Sequence, residues 1–385
     1  MEKDLKVLMI SSDRKLFIEG SVVSERMKEY GALVGELYIV VLSDAVHLLK
    51  DKQLSSNIWV YSTNSIVNFL RPFDAARLGK KIVFEKKFIR GKSIITTQDP
   101  FECGLSGLKV KKKWRIPLEV QLHTDPFSPY FDGFLNRIRK IIARKVLRNA
   151  DGIRVVNEGL KSKISKFTSA PIKVLPIYID IKRIEDAKVS FDLHARFKWH
   201  FILLTVSRLS PEKNLGLTLK VLAGVCNSFP DTGLVVVGSG PEEGRLKALA
   251  RKLSIEKKVA FVGWQDSLTS YYKTANIFIQ TSFFEGYGLA LVEAGLSGLP
   301  VVTTPVGIAQ ELENEKDAYI IPLDRPEKFS EAVIDLIENN YKRENMSMNF
   351  KQTLESKLLT KEVYLARLKT NWEETSEAID RIIEA

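Results

Sequence analysis

The feature that most constrains this chain is the recurrence of short, nearly uninterrupted aliphatic runs separated by segments of helical length. "KVLMI", "LYIVVL", "NIWVYS", "SIITTQ" and "LEVQLH" occupy the first half, and "FILLTVSRL", "TGLVVVGSG", "KVAFVGW", "ANIFIQTS" and "LPVVTTP" the second. Strands without polar alternation are buried on both faces, the condition of a parallel sheet covered by helices on each side. Two such series predict an α/β chain built from two doubly wound domains. The join falls near "PIKVLPIYIDIKRI", where Pro171 and Pro176 interrupt regular structure and no strand follows until Phe201. The expected domains are residues 1–178 and 179–364. In the last segment Leu365, Leu368, Trp372, Ile379 and Ile382 recur at helical spacing, so residues 365–385 are expected to form an amphipathic helix whose apolar stripe packs on another surface.

With 385 residues, 45% of them hydrophobic and 27% charged, the chain can bury more than one core, and disorder is not its default. Cys103 and Cys226 lie far apart, with no His or acids around them at metal-ligand spacing. That suits buried thiols in a reducing compartment and provides neither a disulfide nor a zinc framework. The opening "MEKDLKVLMISSDRK" has an apolar core only from Val7 to Ile10, so it reads as a strand of a cytoplasmic protein rather than as a signal peptide or membrane span. Charge is unevenly spread: residues 1–178 hold 32 Lys+Arg against 18 Asp+Glu, net +14, while the remainder holds 26 against 29, net −3. The overall +11 therefore belongs to the first domain, which should face something anionic.

In open α/β sheets ligands collect beyond the carboxyl ends of the strands, so the loops after the aliphatic runs are the places to search. "VVVGSGPEEG" spaces Gly238, Gly240 and Gly244 as G-x-G-x-x-x-G. A nicotinamide site wants G-x-G-x-x-G and an acid about 20 residues on, where this chain has Lys257 and Lys258. A turn feeding a helix that opens on Pro241, Glu242 and Glu243 accounts for those glycines without a cofactor. "TVSRLSPEKNL" ends a strand at Arg208 and sets Lys213 five positions later. The two can converge on a diphosphate, Arg as a planar fork and Lys as a point charge; a surface pair beside a helix start is the other reading. After "ANIFIQTS" the chain reaches Glu285, where Gly286 and Gly288 let backbone N–H groups approach a ligand and a helix starts with its positive end toward it. Glu285 can accept hydrogen bonds from sugar hydroxyls. Glu293, eight positions on and expected about two turns inside the helix, can reach a separate diol. Two solvated acids on a surface helix are the ordinary alternative. A diphosphate held by Arg208, Lys213 and this helix end has its charge offset by protein groups, so neither metal nor cofactor is expected.

Spaced as E-x7-E, Glu285 and Glu293 join "VSRLSPEKNL", "VVVGSGPEEGRLKALA", "VAFVGW" and "VVTTPVGIAQEL" in a pattern that resembles the retaining glycosyltransferases of family 4. The resemblance is most specific over residues 200–340. In the first half, "SIITTQDPFECGL", "LEVQLHTDPF" and "NADGIRVVNEGLKSKI" look like that family's acceptor-side domain. It implies a GT-B fold: two doubly wound Rossmann-like domains facing a central cleft, with the final helix crossing back onto the N-terminal domain. It also implies that Arg208 and Lys213 hold a nucleotide diphosphate and that Glu285 binds the donor sugar, with the backbone of Gly286, Tyr287, Gly288 and Leu289 alongside. Glu293 then binds the ribose, backbone near Gly263 meets the base, and His123 sits beside the anomeric centre. Gly20 and Gly238 are counted with the substrate-binding positions. The chain departs from the family pattern in four places. The first strand–helix loop has Gly20–Ser21 instead of paired glycines, Ser207 and Asn214 stand where glycine is common, and Asn157 replaces a serine.

The resemblance implies transfer with retention. The acceptor hydroxyl attacks from the leaving-group face, the departing phosphate takes its proton, and no side-chain base is required. An inverting enzyme needs such a base. Asp13, Asp99 and Asp125 stand at strand ends, where turn-capping acids are common, and His123 is the one histidine at a strand end in a motif-like setting; His47, His194 and His200 read as packed or surface residues. The donor is expected to be a UDP- or GDP-sugar carrying a hexose, and the acceptor a glycan or lipid-linked molecule. In "FLNRIRKIIARKVLRNA", Leu135, Ile138, Ile141, Ile142 and Val146 lie on one side among Arg137, Arg139, Lys140, Arg144, Lys145 and Arg148. The expectation for this helix is core packing with a solvated basic face. The basic domain as a whole is a candidate to meet anionic lipid at the inner face of a membrane. No nucleic-acid recognition motif is present. A sugar-nucleotide epimerase and a non-catalytic glycan- or membrane-binding protein are the alternatives. The first would need no acceptor; the second would have no use for Arg208, Lys213, Glu285 and Glu293 together.

Overall fold

The computed structural model describes residues 4–129 and 133–383, with side chains in the last helix described through residue 378. It divides into two compact units, Met1–Ile177 with Thr360–Ala385, and Tyr178–Leu359. In the first unit the strands are β1 (Lys6–Ser11), β2 (Glu36–Val41), β3 (Lys52–Ser55), β4 (Ile58–Ser62), β5 (Ser93–Thr97), β6 (Leu118–Leu122), β7 (Gly152–Val155) and β8 (Ile172–Val174). Its helices are α1 (Val22–Gly31), α2 (Arg71–Glu85), α3 (Glu102–Trp114), α4 (Phe134–Leu147) and α5 (Glu158–Ile164). The sheet order is β3-β4-β2-β1-β5-β6-β7-β8. Every pair is parallel except β3–β4, a short antiparallel hairpin at the edge. The five aliphatic runs of the first half are β1, β2, β4, β5 and β6.

The second unit carries β9 (Phe201–Val206), β10 (Thr232–Val237), β11 (Val259–Gly263), β12 (Ile277–Gln280), β13 (Val301–Thr303) and β14 (Tyr319–Ile320). Its helices are α6 (Ile181–Asp186), α7 (Leu193–Arg196), α8 (Leu215–Ser228), α9 (Glu243–Lys252), α10 (Thr269–Thr274), α11 (Leu289–Leu296), α12 (Glu327–Glu338) and α13 (Asn340–Lys357). The sheet is parallel throughout in the order β11-β10-β9-β12-β13-β14, so the order reverses between β9 and β12. The crevice at such a reversal, beyond the carboxyl ends of the strands, is where open α/β sheets receive ligands. Leu203, Leu234, Val236, Ile277, Ile279 and Val302 from the sheet pack with Leu219, Leu222, Phe329 and Val333 from α8 and α12 to make the core that holds these strand ends rigid.

The chain returns to the first unit through α14 (Lys361–Ile383). Leu368 and Trp372 are fully buried there, and the Trp372 indole donates to Glu119 Oε1 on β6 at 3.3 Å. A Cβ on Gly152 would lie 2.6 Å from Thr375 Oγ1, so β7 and α14 approach too closely for a larger residue. The remaining stripe residue with a described side chain, Leu365, is half-buried, and the side chains of Ile379 and Ile382 lie outside the described residues. This helix covers a polar patch of the sheet. Arg154 on β7 and Glu119 are both buried, Tyr364 lies within 3.4 Å of the Arg154 guanidinium, and the Tyr30 and Tyr364 hydroxyls are 2.8 Å apart.

One sequence expectation reverses in part: of the side expected to pack in α4, Val146 is buried and Ile142 half-buried, but the rest is not. In α4 the residues that fill the core are Ala143, Val146 and Leu147, whereas Leu135, Ile138 and Ile141 are exposed. Ala143 stands nine residues after Phe134, about half a turn round a helix of 3.6 residues per turn. The helix thus has two apolar sides, and the smaller side, near its C-terminal end, takes the core.

Candidate functional site

Two loops of the second unit are locked together at the carboxyl edge of its sheet. After β9 the chain passes Arg208, turns through a short 3₁₀ segment, Pro211–Lys213, and enters α8 by way of Asn214 at φ 49°. Left-handed backbone favours glycine, and Asn is the residue that tolerates it next best, which explains Asn214 at that point. After β12 the chain runs through Ser282 and Glu285 to Gly288, whose φ of 92° starts α11. The Lys213 Nζ donates to Glu285 Oε1 at 2.7 Å and Oε2 at 2.8 Å, and the Ser282 hydroxyl donates to Oε1 at 2.8 Å. Both side chains of the ion pair are largely buried, 14% and 13% exposed. The Phe283 N–H donates to the Glu212 carbonyl at 2.9 Å, a second bond between the same two loops.

Arg208 is held differently. Its guanidinium is 74% exposed and meets Glu212 Oε1 at 3.1 Å, while the Ser210 hydroxyl donates to that oxygen at 2.6 Å. Burial works to raise the Glu212 pKa, but the bond from Ser210 and the charges of Arg208 and Lys213 outweigh it and hold the carboxyl below its ordinary value. The two cations of this loop therefore each have a carboxylate of their own, Glu212 within the same loop for Arg208 and Glu285 across in the next for Lys213.

The neighbouring strand ends close on these loops. Gly238 donates its N–H to the Gly263 carbonyl at 2.8 Å, joining the loops after β10 and β11, and a Cβ on Gly238 would fall 1.9 Å from the Ser207 carbonyl oxygen. Glycine is required at 238 so that the loop before Arg208 can pass. On the other flank the Ile308 N–H donates to the Tyr287 carbonyl at 2.8 Å, and Gly307, at φ +59°, could not carry a Cβ, which would lie 2.5 Å from that carbonyl oxygen. Tyr287 is buried, Leu289 is exposed, and Gly286 lies between them and Glu285 in the loop.

The helix begins four residues after Glu285, not directly behind it, because the chain must first turn at Gly288. Glu293 accordingly sits just over one turn inside α11, a correction to the two turns expected from spacing. It accepts a hydrogen bond from the Tyr272 hydroxyl of α10 at 3.1 Å. Burial raises its pKa, against the opposing influence of that bond and of the Arg183 cation. Gly288 at the N-cap of α11 has no side chain to cap its first turn, so a ligand can complete its N–H groups.

Arg208, Lys213, Gly238, Gly263, Glu285 to Leu289 and Glu293 thus belong to connected loops and one helix on a single edge of the second sheet. Gly20 and His123 belong to the first unit. Gly20, at φ +69°, precedes Ser21, the N-cap of α1. His123 follows β6 with an accessible imidazole set among dense surroundings. That desolvation, with the Arg154 and Arg26 charges, lowers its pKa to about 4, so the ring is neutral at pH 7. The three aspartates weighed as bases all accept backbone N–H bonds. Asp13 takes that of Lys15, Asp99 those of Phe101 and Cys103, and Asp125 that of Phe127. Asn157 caps α5 through the Leu160 N–H at 2.7 Å, the task a serine would perform. Among the described residues no group of three or more His, Cys, Asp and Glu is placed to hold a metal ion.

Sequence reasoning missed Glu212 and Tyr272. Glu212 was legible in principle, an acid beside Lys213 in "SPEKN". Tyr272 carried no signal, because its tie to Glu293 exists only through the packing of α10 near α11.

The family described as Glycosyl transferases group 1 matches residues 190–353, and that described as Glycosyltransferase Family 4 matches residues 36–183. An alpha-monoglucosyldiacylglycerol synthase of Streptococcus pneumoniae is 30% identical over 224 residues, which cover 54% of this chain and 51% of that protein. An enzyme of the same name from Acholeplasma laidlawii is 24% identical over 269 residues, 63% of this chain and 65% of that one. The chain spans about half the length of the first relative and less than two thirds of the second. Among solved structures, Anabaena HepE in complex with UDP superposes with a TM-score of 0.73 at 19% identity, covering 95% of this chain and 99% of that one. Sucrose-phosphate synthase of Thermosynechococcus elongatus gives 0.78 at 16% identity, over 96% and 98%. At such identities the structural likeness establishes the fold.

Proposed function

Since this chain belongs to glycosyltransferase family 4 and has the GT-B fold, we propose that it moves a hexose-type sugar from a nucleotide diphosphate sugar to a glycan or lipid-linked acceptor, with retention at the anomeric carbon. The observation that carries the reading is the Lys213–Glu285 pair. It sets a cation suited to a phosphate and a carboxylate suited to sugar hydroxyls within one hydrogen bond of each other, at the edge where α/β sheets take ligands. A UDP donor is favoured over GDP because HepE is a complex with UDP. A lipid acceptor draws support from the diacylglycerol named in two relatives.

Breaking the bond between sugar and diphosphate develops negative charge on the leaving phosphate and positive charge on the sugar, so fixed cations at the phosphate give the largest gain. In this proposal Lys213 turns from Glu285 toward the phosphate, Arg208 leaves Glu212 to fork the same group, and the uncapped end of α11 supplies backbone N–H donors. Glu285, released from full pairing, accepts from the sugar hydroxyls beside the backbone of Gly286, Tyr287, Gly288 and Leu289. Glu293 receives the ribose diol, and the loops at Gly238 and Gly263 flank the base. Gly20 and the neutral His123 are assigned to the acceptor side. The acceptor hydroxyl attacks from the face the phosphate leaves, and its proton passes to the departing phosphate oxygen. The reaction runs in the cytoplasm, at the inner face of a membrane when the acceptor is lipid-linked.

The test is a hydrolysis and transfer screen over UDP-, GDP- and ADP-hexoses, with and without EDTA, with product configuration read by NMR. The expected result is turnover of a UDP-sugar that survives EDTA and gives an α-linked product. Turnover of none of them, or loss of all turnover in EDTA, would contradict the reading.

A further inference from the structure

Helix α4 presents to solvent what a helix of a water-facing surface buries. Phe134 is 77% exposed, Leu135 72%, Ile141 64% and Ile138 42%. Phe134, Ile138 and Ile141 stand at i, i+4 and i+7 and therefore form one line along the helix, with Leu135 beside it. The opposite side, Ala143, Val146 and Leu147, is buried in the first unit, so the exposed ridge is additional to the core-packing face. Scattered exposed apolar residues need no explanation; a line of them on one helix does.

The charges have a pattern of their own. Arg137, Lys140 and Arg144, at i, i+3 and i+7, run down one flank of the ridge, and Lys145 extends its far end, while the helix contains no acid. The domain around it carries the +14 of residues 1–178. Arg139, on the other side of the helix, is engaged with Glu102 at 2.7 Å. An apolar ridge bordered by cations matches the boundary between acyl chains and anionic headgroups: the ridge enters the former while the cations stay level with the latter. Among the described residues no helix is long and apolar enough to cross a membrane, so contact from one side is the geometry available to helices here.

We propose that α4 is a docking surface for an anionic lipid bilayer, lying in the plane of the membrane with Phe134, Leu135, Ile138 and Ile141 inserted and Arg137, Lys140, Arg144 and Lys145 on the headgroups. This deepens the lipid side of the proposed function, and lipid binding is measured without any sugar donor so that either can fail alone.

Co-sedimentation of the full chain is compared on vesicles of phosphatidylcholine alone and of phosphatidylcholine mixed equally with phosphatidylglycerol. The variants are Phe134→Ser/Ile138→Ser/Ile141→Ser and Arg137→Gln/Lys140→Gln/Arg144→Gln. Of the substituted residues Lys140 is half-buried and the others are exposed, Arg144 lying over the Phe127 ring, and UDP-sugar hydrolysis without vesicles checks that each variant is folded. The wild type is expected to partition onto the phosphatidylglycerol vesicles and to be released by salt. Each triple variant should lose partitioning by roughly tenfold or more. Absence of wild-type binding, equal binding to both vesicle types, or unchanged partitioning in the serine variant would overturn the proposal. So would a wild-type dimer in sedimentation velocity that the serine variant dissolves, since the ridge would then be covered by a second copy. Vesicle binding without hydrolysis of any UDP-sugar would leave the docking surface standing and refute the transferase reading alone.

Discussion

Replacing Lys213 by alanine tests whether the ion pair is the contact that organises the site. The pair joins the loops after β9 and β12, with both side chains largely out of water and two oxygens engaged. Removing one partner of a buried pair costs about 3–5 kcal/mol, chiefly because the other charge is stranded. Glu285 keeps the Ser282 hydroxyl and some access to water, so a loss of about 2 kcal/mol is the reasoned value here. For a unit of this size that lowers the melting temperature by roughly 4–8 °C. Scanning calorimetry reads it, with the transition of the second unit identified as the one that added UDP shifts upward. The decisive arm is the double variant Lys213→Ala/Glu285→Ala. With the stranded carboxylate gone, its loss should be well short of the sum of the two single losses, a coupling of about 1.5 kcal/mol or more. Single losses that add to within about 0.5 kcal/mol would refute the reasoning, because the two side chains would then act independently.

Tyr272→Phe removes the donor to Glu293 and should weaken UDP binding about three- to tenfold in calorimetric titration, the roughly 1 kcal/mol of one ordinary net hydrogen bond, and lower the melting temperature by only a few degrees. The raised Glu293 pKa has two consequences of opposite sign. Its contribution to stability is complete below the ordinary glutamate pKa and is lost as pH rises through the raised folded value. UDP affinity, which needs the carboxylate, should instead fall as the medium is acidified toward that value, and Glu293→Gln should flatten this fall. His123 behaves oppositely in stability: with the folded pKa lowered to about 4, its contribution is present above the ordinary histidine range and is lost as pH falls from there through about 4. His123→Asn should flatten the stability profile in that window and leave UDP affinity unchanged. Gly307→Ala places a methyl against the Tyr287 carbonyl at a left-handed position, and kcat/KM for the donor should drop about tenfold or more with the loop displaced.

The parts of the fold visible in the sequence were those where one physical rule dominates. Strands buried on both faces must be aliphatic throughout, so the two sheets announced themselves. β3, "KQLS", is a polar edge strand; β7, "GIRV", carries a buried arginine; β8, "IKV", is an edge strand that fits between Pro171 and Pro176, where the join was expected to be irregular; β14 is two residues long. None leaves an aliphatic run, and all were missed. In α4 the amphipathic spacing was plain, yet spacing cannot say which of two apolar sides meets the core. The site showed the same division. Arg208, Lys213, Glu285 and Glu293 were legible because they stand in strand-end loops and the helix that follows one of them. The Lys213–Glu285 contact was not, because it joins loops 72 positions apart in sequence.

The central claim is that the edge formed by Arg208, Lys213 and the start of α11 grips a diphosphate, and titration calorimetry of UDP against the wild type and Arg208→Ala, with uridine as the control, tests it most directly. The account expects one UDP bound per chain, an affinity at least about tenfold weaker in the variant, and no difference between the two for uridine. Equal UDP affinity in both proteins, or an equal loss for uridine, would contradict it.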